Sequence, residues 1–182
     1  MQKTKLIILF CFIALVCQSN TNIWLATNSK VRFFSVTPIE DIEAENNTAV
    51  GALNAKTGRI FFKAMMRSFK FEKALMQEHF NENYVESDKF PSAEFDGIIE
   101  NMPNLNVDGT YEVIIKGNLL IHGTNVQREL KASLKVIKSK IEAKAKFLVP
   151  CHEHNIKIPI VKAKNISNNI EVTIFANFNP KI

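Results

Sequence analysis

Apolar and polar residues alternate along most of this chain with the period of two that is typical of β-strands. The strongest run is Thr110–Ile121, in which Val113, Ile115 and the other odd-numbered positions share one face. Val126–Ile137 and Lys140–Val149 repeat the pattern, with apolar residues on one face and lysines on the other. This one-sided alternation favours antiparallel strands that have one face in a core and one in water.

Alternation also predicts the remaining strands, most weakly between Ile42 and Asn54. The runs are Trp24–Val36, two short strands within Ile42–Asn54 that break near Asn46-Asn47, Arg59–Arg67, Ala93–Glu100 and Ile170–Phe178. Gly117 interrupts the strongest strand and predicts a bulge or bend. About eight strands with short connections indicate an all-β fold, an antiparallel barrel or sandwich.

One segment has helical rather than strand spacing. Phe71, Leu75 and His79 recur at that spacing, with Phe80 one position on, so a helix is predicted from Phe71 to Phe80. Pro91 then forces Phe90 into an extended conformation. The helix is predicted to cover the partly apolar second face of Arg59–Arg67, as a lid or side wall held by Phe71, Leu75 and Phe80.

The first residues predict export. Two lysines precede Leu6–Val16, an apolar run of the length of a signal-peptide core and too short to span a bilayer. We expect a signal peptide over residues 1–19, cleaved after Ser19, one mature domain over residues 20–182, and a periplasmic or secreted protein. Lipidation of Cys17 is the alternative, although Val16 is large for a lipoprotein signal.

Composition excludes several classes of protein. The 182 residues are 46% hydrophobic and 23% charged, as in a globular domain. The net charge is +5, but the lysines alternate with apolar residues along strands, so no nucleic-acid partner is expected. Cys151 is the one cysteine after the signal region, which leaves no intrachain disulfide in the mature domain.

The predicted interior is the first candidate site. Phe and Met line it together with small residues, which leaves either room for one slender apolar ligand or a filled core. The small inward positions are Ala64, Gly117, Ala132, Ala143, Ala145 and Ala176. The residues predicted to bind the ligand are Phe33, Phe62, Met66, Val113, Ile115, Phe147 and Ile174.

Cys151-His152-Glu153-His154 is the second candidate, because thiolate, imidazole and carboxylate are metal ligands. Closed zinc sites usually draw ligands from two segments, and the only other histidines are the isolated His79 and His122, so no metal site is predicted. No phosphate-binding loop, dinucleotide fingerprint or catalytic triad is found, and Glu78 and Glu82 are expected to face solvent.

The segment around the helix resembles the YceI-like family, and two further blocks extend that resemblance from about Trp24 to Phe178. The matching residues are Phe69, Phe71, Gln77–Ser87, Lys89–Pro91, Phe95 and Gly97; then Gly117–Gly123; then Phe147, Ile156, Ile158, Pro159 and Ile170–Ile174. Of these blocks, the one that runs from the helix to Pro91 is the most specific to the family. Leu120 departs from the family pattern, in which many members carry threonine.

The resemblance implies an eight-stranded lipocalin-like antiparallel barrel with one helix inserted between strands. It implies an exported protein that holds a long apolar molecule, such as a polyisoprenoid or a fatty-acid-like lipid, and that is not an enzyme and has no other cofactor. A barrel that exposes lipid could form a homodimer. The alternatives are a filled structural or interaction barrel, and a metal or redox accessory protein that uses the Cys151–His154 loop.

Overall fold

The computed structural model describes residues 22–36, 41–158 and 167–181. The predicted signal peptide and Cys17 lie outside these ranges. The strands are β1 Ile23–Ser35, β2 Ile42–Asn54, β3 Arg59–Met65, β4 Lys70–Phe71, β5 Ser92–Glu100, β6 Gly109–Ile121, β7 Thr124–Ile137, β8 Lys140–Pro150 and β9 Asn169–Pro180. The helix α1 is Ala74–His79, continued by a π-helical turn at Phe80–Tyr84.

Eight of these strands form a closed antiparallel barrel, as predicted. Their order around the barrel is β1-β9-β8-β7-β6-β5-β3-β2, and β2 pairs with β1 to complete the circle. The short β4 pairs with β2 outside this circle. In the described part of the chain, no helix is long and apolar enough to cross a membrane.

The two ends of the barrel differ. At one end, called here the mouth, β1, β3, β6 and β8 finish, and the inserted helix lies between β3 and β5. At the other end, called the floor, the interior is filled by large apolar side chains that are at most 1% exposed. The floor residues are Leu53, Leu134, Val136, Ile141 and Phe178. The barrel is therefore closed by packing at the floor.

The prediction of two short strands between residues 42 and 54 was wrong, because β2 is continuous. Asn46, which interrupts the apolar pattern, is fully buried without breaking the strand. Its side-chain amide donates to the Met65 carbonyl at 2.9 Å, and its carbonyl oxygen accepts from the Thr48 backbone N–H at 2.8 Å. A buried polar group costs little when it is hydrogen-bonded in this way.

The prediction for the helix was wrong in its start and in one of its contacts. Phe71 lies in β4, paired with Ala44, so the helix begins only at Ala74. That shift leaves Leu75 61% exposed, while Phe80 packs against the barrel. The helix also leaves the outer face of β3 uncovered, since Met65 is exposed.

Of the bulge or bend predicted at Gly117, the bulge was wrong, and this residue marks a close approach of two strands. It stands opposite Gly97 in the β5–β6 register, and that register has no shift there. A Cβ atom at Gly117 would lie 2.4 Å from the Asp96 carbonyl oxygen and 2.5 Å from the Gly97 Cα. Only glycine allows the two backbones to come this close.

Gly117→Ala is therefore expected to lower the free energy of unfolding by about 1–3 kcal/mol, the usual cost of overpacking. Urea denaturation measures the change. Gly109→Ala on the same strand is the control, because its Cβ would meet only the end of the Tyr111 side chain, at 3.2 Å, and no backbone atom. Equal stability of the two variants would contradict the close-approach explanation.

Candidate functional site

A cavity of about 400 Å³ opens inside the barrel between the mouth and the floor. Side chains from all eight barrel strands line it, and the helix contributes Met76 and His79 on the mouth side. The volume lies within the usual range for small-molecule sites. Most of the lining is aliphatic or aromatic, so the cavity offers hydrocarbon contact along its length.

Six of the seven predicted ligand-binding residues lie in the cavity wall, namely Phe33, Phe62, Met66, Ile115, Phe147 and Ile174. Val113 points inward and is 5% exposed, but it belongs to the packed core outside this wall. The wall also contains residues that the strand pattern did not identify. Those beyond the strands include Phe69, Met76, Tyr84, Val85 and Ile156.

Small residues account for the open space. Ala132 and Ala145 are paired across β7 and β8, and Ala143 is paired with Ala176 across β8 and β9. All four line the cavity, together with Ala64 on β3. Because neighbouring strands carry small side chains at the same level, no large side chain from that part of the wall fills the interior. Gly117, the sixth predicted small position, is not in the wall.

Four phenylalanines form an aromatic cluster where the helix meets the barrel: Phe33, Phe69, Phe71 and Phe80. The Phe80 ring stacks on Phe33 at 5.3 Å between centroids and contacts Phe71 at 5.1 Å. Such aromatic pairs stabilise by about 0.5–1.5 kcal/mol beyond the area that they bury. No residue of α1 itself is buried, and Phe80, which directly follows it, packs against the barrel core.

Polar side chains in the wall are few and differ in where they point. Glu94 forms an ion pair with Lys63 at 2.8 Å, and the Lys144 ammonium lies over the exposed Phe175 ring, so both charges are outside the barrel. The buried Ser35 hydroxyl accepts a hydrogen bond from the Ser167 backbone N–H. The other two polar wall residues, His79 and Tyr84, come from the helix segment at the mouth.

The Cys151–His154 segment forms a 3₁₀ turn after β8. Cys151 is buried and lines the cavity, His154 is fully buried, and His152 is exposed. Burial raises the pKa of the Cys151 thiol to about 11, so the thiol is protonated at neutral pH. Among the described residues, no group of three potential metal ligands comes together.

A hydrogen-bonded histidine pair joins three segments beside the mouth. The His122 Nε2 lies 3.0 Å from the Glu86 carboxylate, and the His122 Nδ1 lies 3.2 Å from the His154 carbonyl oxygen. The His154 Nδ1 lies 3.2 Å from the Thr124 carbonyl oxygen. These contacts tie the chain after the helix, the β6–β7 turn and the 3₁₀ turn to one another, so they fix the shape of the mouth.

Stability should depend on the charge of His154. Burial lowers its pKa, so the folded protein favours the neutral imidazole, whereas the unfolded chain has the ordinary value near 6.5. The stabilisation is therefore present above about pH 6.5 and is lost as the pH falls through the lowered folded pKa. We expect the free energy of unfolding to decrease between about pH 7 and 5, and we expect less of this decrease in His154→Gln.

Urea unfolding at several pH values measures this effect. His152→Gln is the matched control, because His152 is exposed and lies in the same turn. A pH dependence that is identical in the wild type and in His154→Gln would show that His154 does not cause it.

The fold and cavity define a class of protein: a small closed antiparallel barrel with an apolar cavity in its interior. A sequence model of the YceI-like domain matches residues 24–178. The chain therefore belongs to the YceI-like domain family, as the sequence blocks indicated. Among curated proteins, no sequence matches this chain significantly.

Three solved structures share the fold at low identity. A polyisoprenoid-binding domain from Saccharophagus degradans has 13% identity and a TM-score of 0.76, covering 88% of this chain and 99% of that one. Burkholderia cenocepacia BcnA has 12% identity and a TM-score of 0.70, covering 82% of this chain and 95% of that one. Campylobacter jejuni YceI protein has 13% identity and a TM-score of 0.58, covering 82% of each chain. At these identities the similarity concerns the fold.

Proposed function

We propose that this protein binds a long apolar lipid inside its barrel and sequesters or transports it. The observation that carries the proposal is the apolar cavity of about 400 Å³, which ends at the packed floor and extends to the helix segment at the mouth. Burying hydrocarbon there gains about 25 cal/mol per Å², so a flexible chain binds with few polar contacts. The polyisoprenoid-binding domain with the same fold supports an isoprenoid-like ligand.

The residues of the cavity wall are better suited to binding a ligand than to catalysis. The wall is mostly aliphatic and aromatic, and the two wall charges, Glu94 and Lys144, point outside the barrel. The Cys151 thiol, which also lines the cavity, is held protonated by burial and is a poor nucleophile in that form. We therefore propose a binding protein with no cofactor other than its lipid.

Organic extraction followed by mass spectrometry tests the proposal on protein purified from its native host. A co-purifying lipid with a long hydrocarbon chain is expected, and the extracted protein should bind an apolar fluorescent probe that the lipid displaces. If no lipid is recovered and the extracted protein binds no apolar probe, the barrel is a structural or interaction module.

We propose further that the protein acts outside the cytoplasm, in the periplasm or as a secreted protein. The apolar run Leu6–Val16 after two lysines supports this location. Intact-mass analysis of the protein from its native host should show a chain that starts at Asn20. An unprocessed chain would reject this location, and a lipid mass on Cys17 would indicate an anchored form.

A further inference from the structure

The two polar side chains at the mouth have no partner within the described residues. His79 is the last residue of α1, and Tyr84 is the last residue of the π-helical turn that follows it. Both side chains are half-buried and both belong to the cavity wall. Neither makes a hydrogen bond or an ion pair within residues 22–36, 41–158 and 167–181. The hydrogen-bonding groups of both side chains are therefore available to a polar group of a ligand at the cavity wall.

We propose that His79 and Tyr84 form a head-group subsite that selects lipids with one uncharged hydrogen-bonding head, such as an alcohol, a carbonyl or an amide. This inference rests on the proposed lipid binding and adds the chemistry and direction of the ligand. The hydrocarbon lies towards the floor and the head lies at the mouth.

The direction follows from the contrast between the two ends. Leu53, Ile141 and Phe178 fill the floor and are at most 1% exposed, so a polar head placed there would lose its hydrogen bonds to water and gain none. At the mouth the Tyr84 hydroxyl can donate a hydrogen bond, and the His79 ring can donate or accept one. Only the mouth therefore compensates the desolvation of a polar head.

The preference for an uncharged head follows from the charges along the same segment. Five carboxylates and four cations lie between residues 67 and 89, and ion pairs join Glu86 to Lys89 and Asp88 to Arg67. Glu78 and Glu82 are exposed within the helical turns that carry His79 and Tyr84. Burial raises the pKa of the Tyr84 hydroxyl, so it stays a neutral donor. A phosphate or carboxylate head would be repelled by Glu78 and Glu82, which form no ion pair within the described residues.

Three ligands that share one hydrocarbon chain test the subsite: geranylgeraniol, the same hydrocarbon without the hydroxyl, and geranylgeranyl phosphate. Their affinities are measured by displacement of an apolar fluorophore from the full chain. The wild type should bind the alcohol about tenfold more tightly than the hydrocarbon, as expected for one or two net hydrogen bonds. It should also bind the alcohol more tightly than the phosphate.

Tyr84→Phe and His79→Leu should each reduce this preference, measured as the ratio of the affinities for the alcohol and for the hydrocarbon in the same variant. Tyr111→Phe and His152→Leu are the matched controls, because the Tyr111 hydroxyl bonds the Val107 carbonyl near the floor and His152 is exposed. Both controls should keep the wild-type preference.

The outcomes separate the two proposals. If the hydrocarbon binds as tightly as the alcohol, or if Tyr84→Phe and His79→Leu weaken both ligands equally, the subsite is rejected while lipid binding stands. If the phosphate binds most tightly, the head is anionic and the selection proposed here is wrong. If none of the three ligands displaces the fluorophore, lipid binding is rejected and the subsite with it.

Discussion

Phe178→Ala is expected to lower the free energy of unfolding by about 3–5 kcal/mol, the usual cost of truncating a buried phenylalanine. Phe178 is 1% exposed and lies in β9 between Ala26 of β1 and Ile141 of β8. Its ring also packs over Gly51, which has no side chain to fill the space that would be left. The surrounding barrel can therefore collapse only partly around the missing ring.

Urea denaturation of the ligand-free protein measures this loss. Phe175→Ala is the matched control, since Phe175 lies on the outer face of the same strand and is 42% exposed. It should cost about 1 kcal/mol or less, mainly the loss of its contact with the Lys144 ammonium. A Phe178→Ala variant as stable as Phe175→Ala would mean that the floor does not hold the barrel closed.

Ala145→Phe is expected to weaken the proposed lipid binding about 200-fold, because the new ring displaces on the order of four methylene groups at about 0.8 kcal/mol each. Ala145 faces the cavity at the level where Ala132 stands opposite on β7. The ring enters existing space, so the barrel should still fold. Displacement of an apolar fluorophore measures binding, and urea denaturation checks the fold.

Leu148→Phe provides the control on the same strand, because Leu148 points outward and is 57% exposed. Its affinity should equal that of the wild type. If Ala145→Phe folds and binds lipid as well as Leu148→Phe does, the ligand does not occupy the cavity beside β8.

The barrel was predictable because one face of each strand is buried and the other face is exposed to solvent. Along β7, Leu130, Ala132 and Leu134 are buried and alternate with more exposed residues, so periodicity alone placed this strand. In β2 the same periodicity gave a wrong prediction because of Asn46. A polar asparagine at a buried position interrupts the apolar pattern and predicts the end of a strand. Only its hydrogen bonds to Met65 and Thr48 show that the strand continues.

The mouth was harder to predict because its contacts join residues that are far apart in the chain. Glu86 and His122 belong to different sequence blocks, and nothing local shows that they meet. The orientation of the helix depends on the pairing of Phe71 with Ala44, which no helical periodicity reveals. His79 and Tyr84 were consequently not recognised as neighbours in the wall, although both lie in the block that resembles the family.

The order of strands around the barrel also has a consequence for how the chain folds. β9 lies between β8 and β1, so the strand nearest the C-terminus joins the one nearest the N-terminus. Until β9 arrives, β1 and β8 both present unpaired edges, which are sites for aggregation. Contacts of such long sequence separation also slow folding. During synthesis this protein should therefore need protection at those two edges until β9 has been released.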